Sequence, residues 1–187
     1  MTCIVGVRDR KSKSIVFGSD RGLFLDSEVI ISDNPKIFSK SYHGGKKNFI
    51  VGACGDASFC DKFEIADFND LIIDDVYTTI DIKHFVKEKL IPYLEISIPN
   101  VRKLAGESNF LLGIEDSIFY VDSALSVTKC PDWGMATGSA GTWARGALYA
   151  LKEYDLSAQE KIKIALSAAE QCCTECRAPF DYIELTE

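Results

Sequence analysis

Two short runs near the start of the chain, residues 3–7 (CIVGV) and 15–19 (IVFGS), are apolar at almost every position. A strand with one wet face alternates apolar and polar side chains, so a strand lacking that alternation has to be covered on both faces. The polar stretch RDRKSKS separates the two runs and reads as a turn between paired strands. Any fold open to this chain must therefore place one layer above and another below its first strand pair.

The remaining residues supply those layers. SEVIISD, KIFS and NFIVGAC continue the strand series, with YHGGKKN as a glycine-marked hairpin loop. Helical spacing appears over residues 57–68 and again over 82–94, where Phe85, Val86, Leu90 and Leu94 fall on one stripe. NFLLGIE and SIFYVD form another strand pair around Glu115 and Asp116. A helix over about 140–154 follows GMATGS, and Ser157 with Glu160 makes a capping box for the next. That last helix offers Ile164, Ala165, Ala168, Ala169, Cys172 and Cys173 as a small-residue face, and FDYIEL closes the chain as a strand. Helices segregated in pairs between runs of strands predict an α+β architecture, a four-layer αββα sandwich of two packed antiparallel sheets flanked by helix pairs. With 187 residues and nothing marking a second core, one domain over 1–187 is expected.

Charge excludes some functions. A net charge of −7 and a pI near 4.9 argue against a nucleic-acid partner, because phosphate binding draws on clustered Lys and Arg. The basic clusters that exist, residues 8–13 and 46–47, fall in expected turns. No segment is apolar for long enough to span a bilayer, and the start of the chain lacks the features of a signal peptide, so a cytoplasmic protein is expected. Seven irregularly spaced cysteines fit reduced thiols better than a disulfide framework.

The candidate chemistry begins at Thr2. Methionine removal by aminopeptidases requires a small second residue, and threonine qualifies. Thr2 would then carry a hydroxyl beside a free α-amine, which titrates at roughly 7.7–8.0 when unperturbed and so stands as a neutral base near physiological pH. Rival arrangements are poorly supported. TGSAG lacks the first glycine of a GxSxG elbow, no GK[ST] follows it, and His43 and His84 fall in a loop and an amphipathic helix. Cys173 and Cys176 have no second pair to complete a zinc site, and read better as small apolar fillers of a helix face.

Further matches follow in order along the chain. Asp20 ends VFGSD, Lys36 follows in NPKIF, Gly55 lies in VGACGDA and Ser139 in TGSAG. In order and spacing these residues resemble the N-terminal nucleophile (Ntn) hydrolases of the HslV and proteasome β-subunit type, over essentially the whole chain. The resemblance implies that Thr2 attacks a peptide carbonyl while its own α-amine relays the proton. It implies that Lys36 stabilises the alkoxide by charge, and that Asp20 holds the lysine in place in its charged form. It further implies that the Gly55 N–H faces the oxyanion and that the Ser139 hydroxyl steadies the α-amine. By register Ala53 and Ala57 would line the specificity pocket, with Leu23 and Asn34 near it.

The chain departs from that pattern in places. Asp20 is followed by RGLF where Ser-Arg is usual, and the HGGKK loop is longer than its counterpart. Cys173 and Cys176 replace the family's oxygen-bearing pair, so the monovalent-cation site implied near Glu170, Cys173 and Cys176 loses hard donors; no cofactor is required. The resemblance implies homo-oligomeric stacked rings, polypeptide substrates and a separate ATP-driven unfoldase ring. An Ntn amidase acting on a small-molecule amide and a noncatalytic ring subunit are the alternatives.

Overall fold

Strands Ile4–Asp9 (β1) and Ser14–Asp20 (β2) pair antiparallel with Ile4 opposite Ser19, and β2 is buried at every residue. The computed structural model describes residues 2–25, 28–72, 78–97 and 100–186. Met1, whose removal is expected, lies outside them, as does Ser27 at the start of the expected 27–33 strand. A short hairpin, Gly22–Leu25 (β3) with Glu28–Ile31 (β4), follows β2. Next come Ile37–Tyr42 (β5) and Lys47–Cys54 (β6), joined by a tip in which His43, Gly44 and Gly45 all have positive φ. The expected glycine-marked hairpin therefore holds, and the left-handed run is why it needs its two glycines.

After Ala57–Ile65 (α1), a long helical stretch runs through Thr79–His84 (α2), π-helical turns at Phe85–Leu90 and Ile91–Ser97 (α3). A brief Val101–Ala105 helix (α4) leads into Asn109–Ile114 (β7), Ser117–Val121 (β8), Val127–Lys129 (β9) and Met135–Thr137 (β10). Gly141–Ala150 (α5), Ala158–Cys172 (α6) and Phe180–Leu185 (β11) complete the chain.

Beside the two-stranded β3-β4 hairpin, two larger sheets form among the described residues, in the orders β10-β1-β2-β11 and β5-β6-β7-β8-β9. Their facing sides interlock through Ile4, Ile15 and Phe17 against Ile37, Ile50 and Leu111. On the far side of the first sheet, Cys3, Val5, Val7 and Val16 pack on α5 and α6. Beyond the second sheet lie α1 and the long helical stretch, with Phe49, Val51, Phe110 and Leu112 packed against Phe59, Phe63, Phe85 and Leu90. The observed architecture is the four-layer αββα sandwich. It explains the opening observation: β1 and β2 carry apolar residues on both faces because one face meets a sheet and the other meets helices. A side chain as large as Phe17 is worth roughly 1.5–3 kcal/mol when so enclosed.

Several element limits differ from the expected ones. The first helix stops at Ile65, where Ala66 turns extended and its N–H caps Lys62. The 140–154 helix stops at Ala150, because the Leu151 N–H tightens onto two carbonyls at once. The capping box at Ser157 and Glu160 forms as expected. The buried face of α6, however, is Ile162, Ala165, Leu166 and Ala169, leaving Ile164 and Cys172 exposed. The helix seats on Gly18 of β2, whose missing side chain admits Ile162: a Cβ there would lie 2.4 Å from its Cγ2. Cys173 caps the helix and Cys176 lies beyond it, so the two do not fill a helix face; Cys176 is instead fully buried in the loop that follows.

Candidate active site

The pairing registers bring one end of each strand together. β1 begins beside the end of β2 and the end of β10, with Ile4 opposite both Ser19 and Thr137. In the other sheet β5 begins beside the end of β6, and Cys54 at the end of β6 faces Asn109 at the start of β7. Two links tie these ends into one region: Lys36 reaches Asp20 across the sheets, and Cys54 Sγ lies 3.7 Å from Thr137 Oγ1. Side chains alternate along a strand, so Thr2 continues the face of Ile4, which points between the sheets. The nucleophile candidate thus stands at the open end of the inter-sheet layer.

Asp20 is fully buried and accepts four hydrogen bonds. Its Oδ1 takes the Cys3 N–H at 2.8 Å and the Lys36 ammonium at 2.9 Å. Its Oδ2 takes the N–H groups of Gly22 at 2.9 Å and Arg177 at 3.2 Å. A buried carboxylate is tolerable only when its lone pairs are met in this way. Lys36 Nζ also donates to the Gly22 carbonyl at 2.6 Å, and its side chain is only 13% exposed. The pair is therefore no loose surface ion pair: Asp20 fixes the residue next to Thr2 with the same oxygen that holds Lys36.

Two glycines shape the surroundings of Thr2, and one of them lies directly on its backbone. The Thr2 N–H donates to Ser139 Oγ at 3.3 Å. Ser139 does not cap α5, whose N-cap is Ala140 without a side-chain bond. Gly138, at φ +95°, lets the 138–139 turn lie against Thr2: a Cβ there would fall 2.0 Å from the Thr2 carbonyl oxygen. Gly55 has φ +124°, and a Cβ on it would meet the Glu107 carbonyl oxygen and the Ser108 Cα at 2.5 Å. Glycine is needed at 55 because the 107–108 backbone presses on it, a packing reason that the sequence does not disclose.

A cleft of about 390 Å³ opens here, lined by Thr2, Cys54, Gly55, Asn109, Tyr120, Ala136, Thr137, Gly138, Ser139 and Arg145. Thr2, Gly55 and Ser139 thus share one cavity, with Lys36 and Asp20 tied to the adjoining residue. Asn109, Tyr120, Thr137 and Arg145 are cleft residues that sequence reasoning missed. They come from separate elements and carry no motif: the pairing of Cys54 with Asn109 and of Ile4 with Thr137 places two of them, β8 brings Tyr120 and α5 brings Arg145. Cys54 Sγ donates to Asn109 Oδ1 at 2.8 Å, and Thr137 Oγ1 donates to the same oxygen. Burial pushes the Cys54 thiol up to about 11, so it stays protonated at neutral pH and offers no thiolate beside Thr2.

None of Leu23, Asn34, Ala53 and Ala57 lines this cleft. Ala53 is 2% exposed and packs outward in the cluster of Phe59 and Phe63, because its place on β6 turns it toward α1. Ala57 and Asn34 are exposed and Leu23 is half-buried.

The cation reading meets a different occupant. The main-chain carbonyls of Glu170, Cys173 and Cys176 converge on Arg177 Nη1, at 3.4, 3.5 and 3.0 Å. Cys176 Sγ turns the other way, toward the Leu166 carbonyl at 3.8 Å. Its hydrogen bond with Cys3, reinforced by burial, drives the Cys3 thiol far above its ordinary value. Glu170 Oε1 is engaged by the Ala178 N–H. A free ion and this guanidinium cannot share the carbonyls, so the residues present do not fit a resident monovalent cation. Among the described residues, no group of three or more His, Cys, Asp and Glu side chains is placed to hold a metal, and no helix is long and apolar enough to cross a membrane.

Neither a family model nor a curated protein sequence matches the chain. Solved structures do. Thiobacillus denitrificans BPH in complex with epoxomicin aligns with a TM-score of 0.75 at 19% identity, covering 99% of this chain and 98% of that one. HslV from Trypanosoma brucei aligns at 0.70 and 19% identity over the whole of both chains. Anbu, an ancestral β-subunit from Yersinia bercovieri, aligns at 0.68 and 13% identity, covering 99% of this chain and 82% of that one. What the chain shares with these proteasome-type proteins is their fold.

Proposed function

We propose that the chain is a threonine-type peptidase subunit in which Thr2, exposed by removal of Met1, is the nucleophile. The observation that carries this reading is the buried Asp20, whose one oxygen holds both the Lys36 ammonium and the N–H of the residue following Thr2. A charge so placed serves an alkoxide at Thr2 and has no evident purpose in packing alone.

In the reaction, Thr2 Oγ bonds to the scissile carbonyl carbon as the α-amine takes the hydroxyl proton. The carbonyl oxygen becomes an oxyanion facing the Gly55 N–H, and the positive charge of Lys36 stabilises the attacking oxygen. Collapse breaks the C–N bond, and the leaving amine takes the proton from the α-ammonium. Water, deprotonated by the same amine, then cleaves the ester on Thr2 and restores the free hydroxyl. Ser139 Oγ, already 3.3 Å from the Thr2 nitrogen, keeps that nitrogen aimed.

Assembly follows from the same reading. A cytoplasmic peptidase of broad specificity is safe only when sequestered, and we place these subunits in homo-oligomeric stacked rings fed by a separate ATP-driven unfoldase. Exposed Trp143, Tyr149 and Ile164 on the outer helices supply apolar surface for subunit contacts. The decisive experiment is Thr2→Ala, assayed on fluorogenic peptides and by size-exclusion chromatography. Hydrolysis should vanish while assembly persists; hydrolysis that survives assigns the chemistry to another residue.

A further inference from the structure

The loop after α6 is organised around a single side chain. The last turn of a helix leaves carbonyls without intrahelical partners and carries the negative end of the helix dipole. Here the carbonyl of Glu170, in that last turn, joins those of Cys173 and Cys176 around Arg177 Nη1. A guanidinium nitrogen of this kind bears two hydrogens, yet three carbonyl oxygens face it. The oxygens thus form a cradle for one positive charge, and Arg177 supplies that charge covalently.

The main chain of the same residue reaches the proposed active site. The Arg177 N–H donates to Asp20 Oδ2, and its carbonyl accepts from the Arg21 N–H at 3.1 Å. On the next residue, the Ala178 N–H is held by Glu170 Oε1 at 2.9 Å. Closing the cradle therefore fixes where residue 177 presents its N–H to the carboxylate that holds Lys36.

We propose that Arg177 is a built-in cation that closes the 170–176 carbonyl cradle and positions Asp20, so that the site needs no dissociable cation and comes to depend on one when the arginine is removed. This rests on the reading of Thr2, Asp20 and Lys36 as a catalytic unit, and Arg177 acts within it as a positioning residue.

The test compares wild type, Arg177→Ala and Arg177→Lys in sodium or potassium chloride against tetramethylammonium chloride at equal ionic strength. Thermal unfolding is one readout and the kcat and KM of peptide hydrolysis are the other. Wild type should show the same Tm in every salt. Arg177→Ala in tetramethylammonium should lose at least about 2–4 °C in Tm and about tenfold or more in kcat, with KM little changed. Sodium, potassium or millimolar guanidinium should restore both, and Arg177→Lys, which keeps a point charge, should stay independent of the salt. Failure of all three cations to raise the Tm or soluble yield of Arg177→Ala overturns the proposal. A drop in wild-type Tm on leaving alkali salts overturns it too. Because unfolding is read without substrate, an inactive wild type would count against the peptidase reading and leave the cradle decided by Tm.

Discussion

Gly138→Ala probes how the backbone presents Thr2. The added methyl would start 2.0 Å from the Thr2 carbonyl oxygen and 2.8 Å from its carbonyl carbon, both main-chain atoms that no rotamer can move aside. A carbon and an oxygen approach no closer than about 3.3 Å, so the two backbones must part by about 1.3 Å. Holding a non-glycine residue at φ +95° costs about 1–3 kcal/mol in addition. Relief of the overlap adds about 1–3 kcal/mol. At about 2–4 °C per kcal/mol for a chain of this size, the combined cost of about 2–6 kcal/mol should lower the Tm by roughly 4–24 °C. Displacing the nucleophile by about 1 Å should lower kcat about 100-fold. The assay pairs thermal unfolding with hydrolysis of a fluorogenic peptide. Its control is Gly146→Ala on α5, where a Cβ meets nothing within 4 Å. That change should leave kcat alone and stabilise by about 0.4–1 kcal/mol. Wild-type kcat and Tm in Gly138→Ala would refute the described contact. A lowered Tm with unchanged kcat would keep the contact and remove Thr2 from the chemistry.

Lys36→Met leaves Asp20 buried with its charge uncompensated, and should cost about 3–5 kcal/mol in stability and about 100- to 1000-fold in kcat; an active, stable variant contradicts the role given to the pair. Exposed Cys172 should react with iodoacetamide at pH 8 well before Cys54, whose thiol is held protonated, and peptide mapping that shows equal rates would refute the burial described for Cys54. Asp9 is pushed up by burial, but N–H groups of Lys11, Ala158 and Ser12 outweigh this and its pKa is net lowered. A lowered folded pKa gives stability that is present above the unfolded value of 3.8 and is lost as pH falls through the folded one. Asp9 is only partly buried, so after solvent screening Asp9→Asn should cost no more than about 0.5–1 kcal/mol at pH 7, a difference that denaturant titration should show shrinking below pH 4 and that should not persist in acid.

What the sequence made legible was whatever local pattern dictates. The unalternating runs at 3–7 and 15–19 required a two-sided cover, and the second sheet on one face with α5 and α6 on the other provides it. Thr2, Asp20, Lys36, Gly55 and Ser139 could be named as a set because their order and spacing resemble those of the HslV and proteasome β-subunit type of hydrolase; each taken alone carries an ordinary structural reading. What stayed hidden depends on contacts between distant elements. The face of α6 was misplaced because alanines satisfy several phases equally, and only Gly18 beneath Ile162 selects one. The π-helical turns at Phe85–Leu90 leave the apolar stripe intact, so periodicity gives no sign of them. Arg177 looks like an ordinary charged loop residue until three carbonyls are seen to surround it.

One measurement bears most directly on Thr2 as nucleophile and base in a single residue: intact mass of the purified chain before and after treatment with a peptide epoxyketone. Such a reagent needs a hydroxyl to add to its ketone and a neighbouring amine to open its epoxide, so a lasting adduct reports both groups together. The predicted result is a chain without Met1 that gains one full inhibitor mass, mapped to Thr2 and blocked by prior acetylation of the α-amine. A chain that retains Met1 and hydrolyses peptides, or one that turns over undiminished with its α-amine acetylated, would contradict the account.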